Sequence, residues 1–501
     1  MRILRIASTL ISLLLVQTAF AQSAVVSTVA QLKSNNWGSY SSLYLLSYLS
    51  GGTTGSGELV KDSTDPVSAV NQCTIFEDSG GNLWQRVGIN NVLDPNDCGA
   101  DPSGATGSAA TTTTAINNAF TLATTKGWSI HLSCGTYRAT NLTFGSNTTS
   151  GVQSSAPLGI RGSGGCSVLL MDSSASGVFL EAQSLAGVVF EDFVVDCNNN
   201  SVETKCLDTG WPNGTGKSQQ NRYSYVWVQN YKGVGWEALN NNQTTFDSVT
   251  VRQPQAASQT AIDLTAPGGS VYVVNSNWAS GILDICAQNA TIVSGFGSGI
   301  RLNYGESGGG CTSYDVLGIY GTQLYADATS KYFIWDASPG TPGHSVANAV
   351  ISATEFPSVT SGNTLFNFNI GNMMVIEGLS VEGTQAANLY GPQFGIPYYH
   401  GAGVPVVYIR GISTTSIALT INSASVGSVT TVQEVAAPAG NPVQTGTAGG
   451  SFTVSTLPSG AKRGTTAYVT DATSCAKNGS LTGGGSTFCM VIFNGTSWVG
   501  S

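Results

Sequence analysis

Three acidic residues occupy matching positions of short strand-like segments, and their spacing could support acid–base chemistry. Glu237 lies in GWEAL, Asp263 in AIDL and Asp284 in GILDI. Strand alternation sends their apolar neighbours into a core and the acids outward. Carboxylates on adjacent stacked strands would lie about 5 Å apart, and two strands apart about 10 Å, near the separations used to cleave glycosidic bonds. We therefore predict that these three residues are catalytic, one as a general acid with a raised pKa and another as an ionised partner.

Polar and aromatic residues extend this column and form a second one. Asp208 lies one unit before Glu237, and Arg301 lies one unit after Asp284. The second column lies on the preceding strand of each unit. Aromatic rings stack on sugar rings, and arginine binds carboxylates with two hydrogen bonds. The predicted substrate-binding residues are Asp196, Asp208, Trp227, Arg252, Tyr272 and Arg301.

These residues also have other interpretations. An outward aspartate can simply be solvated or bonded to turn amides, and loops can cover Trp227 and Tyr272 as ordinary packing. In a lyase, Arg252 could neutralise a uronate or act as the base beside Ca²⁺, which the oxygen ligands of the acidic column could hold. Beyond that conditional calcium, no cofactor or metal site is predicted. With three histidines and no CxxC pair, a zinc site is not expected.

The elements that position these residues are short and self-similar. Four stretches align at an offset of roughly 20 residues, each leading from one strand into another. They are 224–239, 247–264, 270–285 and 289–302. A unit of this size cannot bury its own apolar face, so copies must stack, which predicts a parallel β-solenoid. An antiparallel sandwich or barrel is the competing architecture.

One helix is predicted before the first strands. Apolar residues recur at helical spacing over 114–126, where Thr114 can cap the start and Gly127 can end the helix. This helix is well placed to cover the open end of the stack. No further helix is predicted from about 158 to 425, in keeping with the strand periodicity there.

Composition supports a β-rich protein outside the reducing cytoplasm. Only 9% of the 501 residues are charged, 41% are hydrophobic and 62 are glycine. The net charge of −9, without a Lys/Arg stripe, argues against nucleic acid as a partner. A basic start, an apolar run over 6–16 and the small-residue end Ala19-Phe20-Ala21 predict a signal peptide over 1–21, cleaved after Ala21, and a secreted or cell-surface protein. No later stretch is long and apolar enough to predict a membrane span.

Ten cysteines behind an export signal predict disulfides. Short spacings favour the bridges Cys197–Cys206 and Cys475–Cys489, because both partners then lie near one turn. Other cysteines can be buried as small apolar residues.

A group of motifs near the N-terminus resembles a known family. The segments 91–94, 99–104, 115–120 and 135–137 read NVLD, GADPSG, AINNAF and GTY. Together they resemble the entry motif of the pectate-lyase-like superfamily, which includes rhamnogalacturonases, uronan epimerases and tailspike depolymerases. Residues 81–87 resemble the module that precedes this motif in tailspike-like members. The chain departs from the pattern at 111–114, where threonines replace an Asp pair, and at Cys134, where proline is usual. The polygalacturonase signatures are absent from the sequence.

The resemblance implies an all-β fold: a single-stranded right-handed parallel β-helix with an N-terminal capping helix and a small C-terminal β module like those of phage-tail proteins. The predicted layout is a signal peptide at 1–21, a tailspike-like entry module at 22–90, the β-helix at 91–435, a linker at 436–450 and the C-terminal module at 451–501.

The expected function is a secreted polysaccharide-active enzyme, a glycoside hydrolase or a polysaccharide lyase, that acts on a glycan bound along the β-helix groove. An epimerase is a further alternative. A non-catalytic glycan-binding or surface-structural solenoid is the other class of protein that fits. By likeness to tailspikes, the chain could form a homotrimer.

Overall fold

The computed structural model describes most of the chain after the predicted signal peptide. The described residues are 22–64, 66, 69–145, 152–153, 158–183, 185–210, 218–303, 314–337, 344–383, 387–390, 406–410, 412–415, 419–421, 430–434, 444–445, 451–457 and 466–500. The predicted signal peptide lies outside these residues, as does the predicted linker apart from 444–445. None of the helices in the described part is long and apolar enough to cross a membrane. The chain divides into two compact units, of which the first comprises Met1–Gly145, Ser154–Ala175 and Val189–Val194.

The first unit begins with a five-stranded sheet and a short helix, α1 (Val29–Ser34). The strands, in sheet order, are Ser23–Val26, Ser42–Leu45, Gly57–Asp62, Leu83–Arg86 and Ile75–Glu77. The first two run parallel and the other neighbours antiparallel. Val29 and Leu32 of α1 pack with Trp84 and other buried side chains into the core of this sheet.

The second part of the first unit contains the long helix α2 (Ala109–Lys126) and short parallel strands. The strands are Val92–Leu93, Ser129–Leu132, Gly135–Ala139, Leu142–Thr143, Gly159–Gly162, Ser167–Met171 and Val189–Glu191. The predicted start of the helix at Thr114 is wrong, because the hydroxyls of Thr113 and Thr114 bond to the carbonyls of Ala109 and Ala110 within the helix. The predicted end is confirmed, since Gly127 adopts the left-handed conformation with φ of 70°.

The second unit is a stack of coils, each contributing strands to three faces. First-face strands are Arg222–Ser224, Thr244–Asp247, Tyr314–Tyr320, Val346–Ser352, Ile370–Glu377, Val406–Arg410 and Thr430–Glu434. Second-face strands are Val194–Asp196, Trp227–Gln229, Thr250–Arg252, Asn277–Trp278, Phe296–Ser298, Gln323–Tyr325, Glu355–Val359, Ser380–Gly383 and Ser413–Thr415. Third-face strands are Gly177–Glu181, Glu203–Asp208, Val234–Ala238, Ile300–Leu302, Tyr332–Asp336, Thr364–Asn367, Ala387–Tyr390, Leu419–Ile421 and Gln444–Thr445. Two long strands, Thr260–Val274 and Ile282–Val293, run from the third face into the first. Two-stranded pairs join Val152–Gln153 to Leu185–Ala186 and Ser218–Gln219 to Asn241–Asn242.

The strands of these faces pair in parallel, and the apolar side chains predicted to point inward are buried. The valines at 226, 228, 249, 251, 271 and 273 and the third-face residues Trp236 and Ile262 are at most 1% exposed. The all-β parallel solenoid is therefore confirmed. The predicted offset of roughly 20 residues does not hold along the whole stack, because the register partners Ile300 and Ile334 lie much further apart in sequence than Leu283 and Ile300. A coil holds three strands, and the turns between them vary in length, so coil length varies as well.

The last strands form a separate four-stranded sheet, as predicted for a small C-terminal β module. It consists of Ser451–Phe452, Thr466–Ala472, Thr487–Phe493 and Trp498–Gly500. Val469 and Val491 are central to its core. Both predicted disulfides are confirmed, Cys197–Cys206 and Cys475–Cys489, and two further bridges join Cys73 to Cys98 and Cys134 to Cys166.

Candidate functional site: an acidic column on the third face

The third face brings the predicted acidic residues into one column. Asp208 is the register partner of Glu237, Glu237 of Asp263, and Asp263 of Asp284. Arg301 follows Asp284 in the same register. Neighbouring parallel strands lie about 4.8 Å apart, so each side chain of this acidic column is next to the one on the following coil.

The acids of this column are much less exposed than an outward position predicts. Glu237 and Asp263 keep 8% and 7% of their surface exposed, while Asp208 and Asp284 keep 1% each. The acids are shielded from solvent because polar side chains of the same unit pack against them. Only the two central acids retain contact with solvent, so they are the members that a substrate could reach.

Lys205 joins the first two acids of the column. Its Nζ lies 3.1 Å from Asp208 Oδ2 and also donates to Glu237 Oε2. Gln183 Nε2 donates to the same Asp208 oxygen at 2.9 Å. Asp208, predicted as a substrate-binding residue, is therefore held by protein donors. Lys205 is thus shared between two carboxyl groups on adjacent coils.

The proton affinity of Glu237 reflects this environment. Burial raises the pKa of Glu237, and the neighbouring Asp208 carboxylate adds to the rise, although the Lys205 ammonium opposes it. Burial lowers the pKa of Lys205, but the Asp208 and Glu237 carboxylates outweigh burial, so the net shift is upward. Glu237 thus holds its proton to a higher pH than an ordinary glutamate, as a general acid must.

Arg301 closes the other end of the acidic segment. Its Nη2 donates to Asp284 Oδ2, and its Nε lies 3.1 Å from the same oxygen. Asn303 Nδ2 approaches that oxygen at 3.5 Å, and Arg301 Nη2 also reaches Thr260 Oγ1 at 3.5 Å. The structure therefore gives Arg301, predicted to bind substrate, an intramolecular carboxylate partner.

A second cluster lies on the second face and includes three of the predicted binding residues. The guanidinium carbon of Arg252 lies 5.0 Å from the centre of the Trp227 ring. Arg252 Nη2 donates to Gln229 Oε1 at 3.0 Å, and Gln229 Nε2 donates to Asp196 Oδ2 at 2.8 Å. Trp227 is 37% exposed, so one aromatic surface remains available beside a fixed cation.

Tyr272 is not part of this second cluster. Its register partners are Thr245 and Thr291 on the first face, whereas Trp227 pairs with Thr250 on the second. The predicted alignment of 270–275 with 247–253 is wrong because one continuous strand, Thr260–Val274, passes between faces and hides the coil boundary. Tyr272 remains 45% exposed.

Several members of the acidic column were not predicted from the sequence. Glu181 precedes Asp208 in register, and Trp335 follows Arg301. Strand alternation places Lys205 and Asp208, three residues apart, on opposite sides of their strand, so the sequence pattern gives no signal for their contact. Trp335 lies in Tyr332–Asp336, where every residue after Tyr332 is buried, so burial does not alternate there, and its coil is longer than the assumed repeat.

The placement of His, Cys, Asp and Glu side chains decides whether a metal ion could be held. Within the described part of the chain, no group of three or more His, Cys, Asp or Glu side chains is placed to hold a metal ion. The calcium expected for a lyase therefore gains no support from the column.

Comparisons with known proteins show the fold. No family model matches the chain, and no curated protein matches it. The tailspike of Acinetobacter phage vb_AbaP_AS12 is similar over 95% of this chain and 93% of that one, at 12% identity and a TM-score of 0.53. The tailspike protein of Acinetobacter phage vB_ApiP_P1 is similar over 94% and 88%, at 12% identity and a TM-score of 0.50.

One of the similar structures is much longer than this chain. The chain spans half the length of tailspike protein 2 from Escherichia coli O157:H7 bacteriophage CAB120, which covers 82% of this chain at 15% identity and a TM-score of 0.42. The chain is a parallel β-helix, and its similarity to the two Acinetobacter phage tailspikes is one of fold alone.

Proposed function

We propose that the chain is a secreted glycoside hydrolase that cleaves a polysaccharide lying along the third face. The observation that carries this proposal is the pair Glu237 and Asp263. These two acids lie on adjacent coils, and both retain contact with solvent. The similarity to tailspikes supports only the scaffold of this proposal. Disulfides and the signal-like N-terminus support secretion.

The spacing favours a double-displacement reaction. Side chains on adjacent coils lie about 5 Å apart, the separation of retaining glycosidases, whereas inverting enzymes need a wider gap for water. Glu237 donates its proton to the glycosidic oxygen as that bond breaks, and Asp263 forms a bond to the anomeric carbon. Water then attacks this carbon, Glu237 takes the water's proton, and Asp263 leaves as a carboxylate. Proton and charge balance over the two steps.

The flanking ion pairs position this pair of acids. Lys205 binds Glu237 and Asp208, and Arg301 binds Asp284. Asp284, predicted as catalytic, is therefore assigned to positioning in this proposal. Because Arg252 is already bonded to Gln229 and stacked on Trp227, it is poorly placed as a lyase base. We accordingly favour hydrolysis over elimination, and the mechanism has no step that uses calcium.

A second function remains a candidate because of the same ion pairs. Lys205 and Arg301 neutralise much of the column, and all four acids are nearly buried. Such a pattern also suits a glycan-binding or surface-structural solenoid in which the column only stabilises the coils. That protein would retain glycans without cleaving them. A homotrimer, as in the tailspike likeness, is compatible with either function.

The experiment compares wild type with Glu237→Gln, Asp263→Asn and the control Asp247→Asn on a panel of neutral and acidic polysaccharides. Asp247 is a first-face acid paired with Arg222, outside the column. New reducing ends are measured, and thermal unfolding shows whether each variant folds. We expect each column variant to lose about 10²–10⁴-fold in rate and the control to keep its rate. Binding without new reducing ends in wild type, or full activity in Asp263→Asn, would refute the proposal.

A further inference from the structure

A cavity in the first unit combines basic and amide side chains and lies outside the acidic column. It has a volume of about 330 Å³, near the lower end of the range for small-molecule sites. Asn90, Asn91, Ser129, His131 and Arg161 are among the residues that line it. None of the described residues that line it is acidic, although acidic residues outnumber basic ones in this chain, 28 to 19.

The two basic residues are fixed side by side by strand pairing. Arg161 is the register partner of His131 on one side and of Glu191 on the other. Arg161 Nε lies 3.6 Å from Glu191 Oε2, a long contact for a salt bridge. With the Arg161 side chain 54% exposed, this contact leaves guanidinium N–H groups for another acceptor.

The end of α2 borders the same cavity. Gly127 both ends the helix and lines the cavity. The carbonyl end of a helix carries partial negative charge, which disfavours an anion. Here the Gly127 N–H bonds to the carbonyl of Ala123, and Lys126 lies in the last turn, so both features reduce that charge. Arg161 is then the residue lining the cavity that carries a full positive charge.

We propose that this cavity binds one acidic sugar residue of a glycan through its carboxylate. Arg161 donates two hydrogen bonds to the carboxylate, and His131 lies beside it on the adjacent strand. Asn90 and Asn91 supply amide donors and acceptors for ring hydroxyls. The cavity volume matches a single ring better than a chain. This site is a binding site without catalysis, and it does not rest on the hydrolase proposal.

The experiment uses the full chain and isothermal titration with three probes: an oligogalacturonate, a sulfated neutral oligosaccharide and the unsulfated form of the latter. The variants are Arg161→Gln, Glu191→Gln and the control Arg222→Gln. Arg222 is a matched control, because its side chain is 61% exposed and lies 4.0 Å from an acid, Asp247, but it lines none of the described cavities.

We expect Arg161→Gln to weaken oligogalacturonate binding about tenfold to a hundredfold, the worth of a charge-assisted hydrogen-bond pair. We expect Arg222→Gln to leave binding unchanged and Glu191→Gln to tighten it by removing a competing carboxylate. Equal losses in the two arginine variants would indicate diffuse charge and overturn the proposal. So would absence of oligogalacturonate binding in wild type, or binding of the sulfated probe alone.

Discussion

Replacing Lys205 by methionine tests whether the column depends on its shared ammonium. The substitution keeps most of the apolar stem but leaves Asp208 and Glu237 on adjacent coils without their common cation. Removing one partner of a buried ion pair costs about 3–5 kcal/mol. Because Lys205 is 27% exposed, we expect the lower end, about 3 kcal/mol, in the free energy of unfolding.

The loss should depend on pH in a defined direction. Without Lys205, the pKa of Glu237, already raised by burial and by Asp208, must rise further. A carboxyl group with a higher pKa in the folded chain stabilises the fold while it is protonated. That stability is lost as pH rises from the ordinary glutamate value, about 4.3, through the raised value. The deficit of Lys205→Met should therefore be largest at pH 8 and smaller near pH 5.

The assay is urea unfolding at both pH values, followed by the far-UV circular dichroism of the β-strands. Lys232→Met is the control. Lys232 is an exposed lysine of the same unit whose Nζ donates to the carbonyl of Ser201 rather than to a carboxylate. A surface change of this kind should cost less than about 0.5 kcal/mol. The reasoning is refuted if the two variants lose equal stability, or if the Lys205→Met deficit is larger at pH 5 than at pH 8.

Two further predictions concern other parts of the chain. Asp78→Ala should lower the free energy of unfolding of the N-terminal sheet by about 2–4 kcal/mol, measured by denaturant unfolding of variant and wild type. The substitution leaves donors without an acceptor, including the N–H of Trp37 at 2.8 Å and Nε1 of Trp84 at 3.2 Å. A loss no larger than that of a surface substitution would contradict this. Trp227→Ala should weaken glycan affinity about tenfold on affinity gels without lowering the melting temperature. Tyr225→Ala removes an aromatic ring that is 56% exposed and should leave glycan affinity unchanged. Equal losses of affinity in both variants would indicate that Trp227 has no special role.

The alternation of apolar and polar residues along the strands predicts the acidic column, because this alternation depends only on local sequence. Each of Glu237, Asp263 and Asp284 is flanked by apolar residues that had to be buried, and parallel stacking then placed the acids in register. The nearly complete burial of Asp284 could not be predicted in this way. It depends on Arg301, which the sequence placed in the column but not in contact with that carboxylate.

Features that depend on turns were predicted less well. The sequence predicts the wrong face for Tyr272, because nothing in the continuous strand Thr260–Val274 marks where it crosses from one face to the next. The preference of threonine for caps predicts a helix start at Thr114, yet the hydroxyls of Thr113 and Thr114 donate to carbonyls inside the helix. Lys205 was missed because its role arises only when two coils come together.

The anomeric configuration of the first product tests the central proposal most directly. Proton NMR of a cleavage reaction, recorded before the product mutarotates, distinguishes retention from inversion. Because Glu237 and Asp263 lie on adjacent coils, the proposed mechanism predicts that the configuration is retained. An inverted product, or cleavage that persists unchanged in Asp263→Asn, would contradict it.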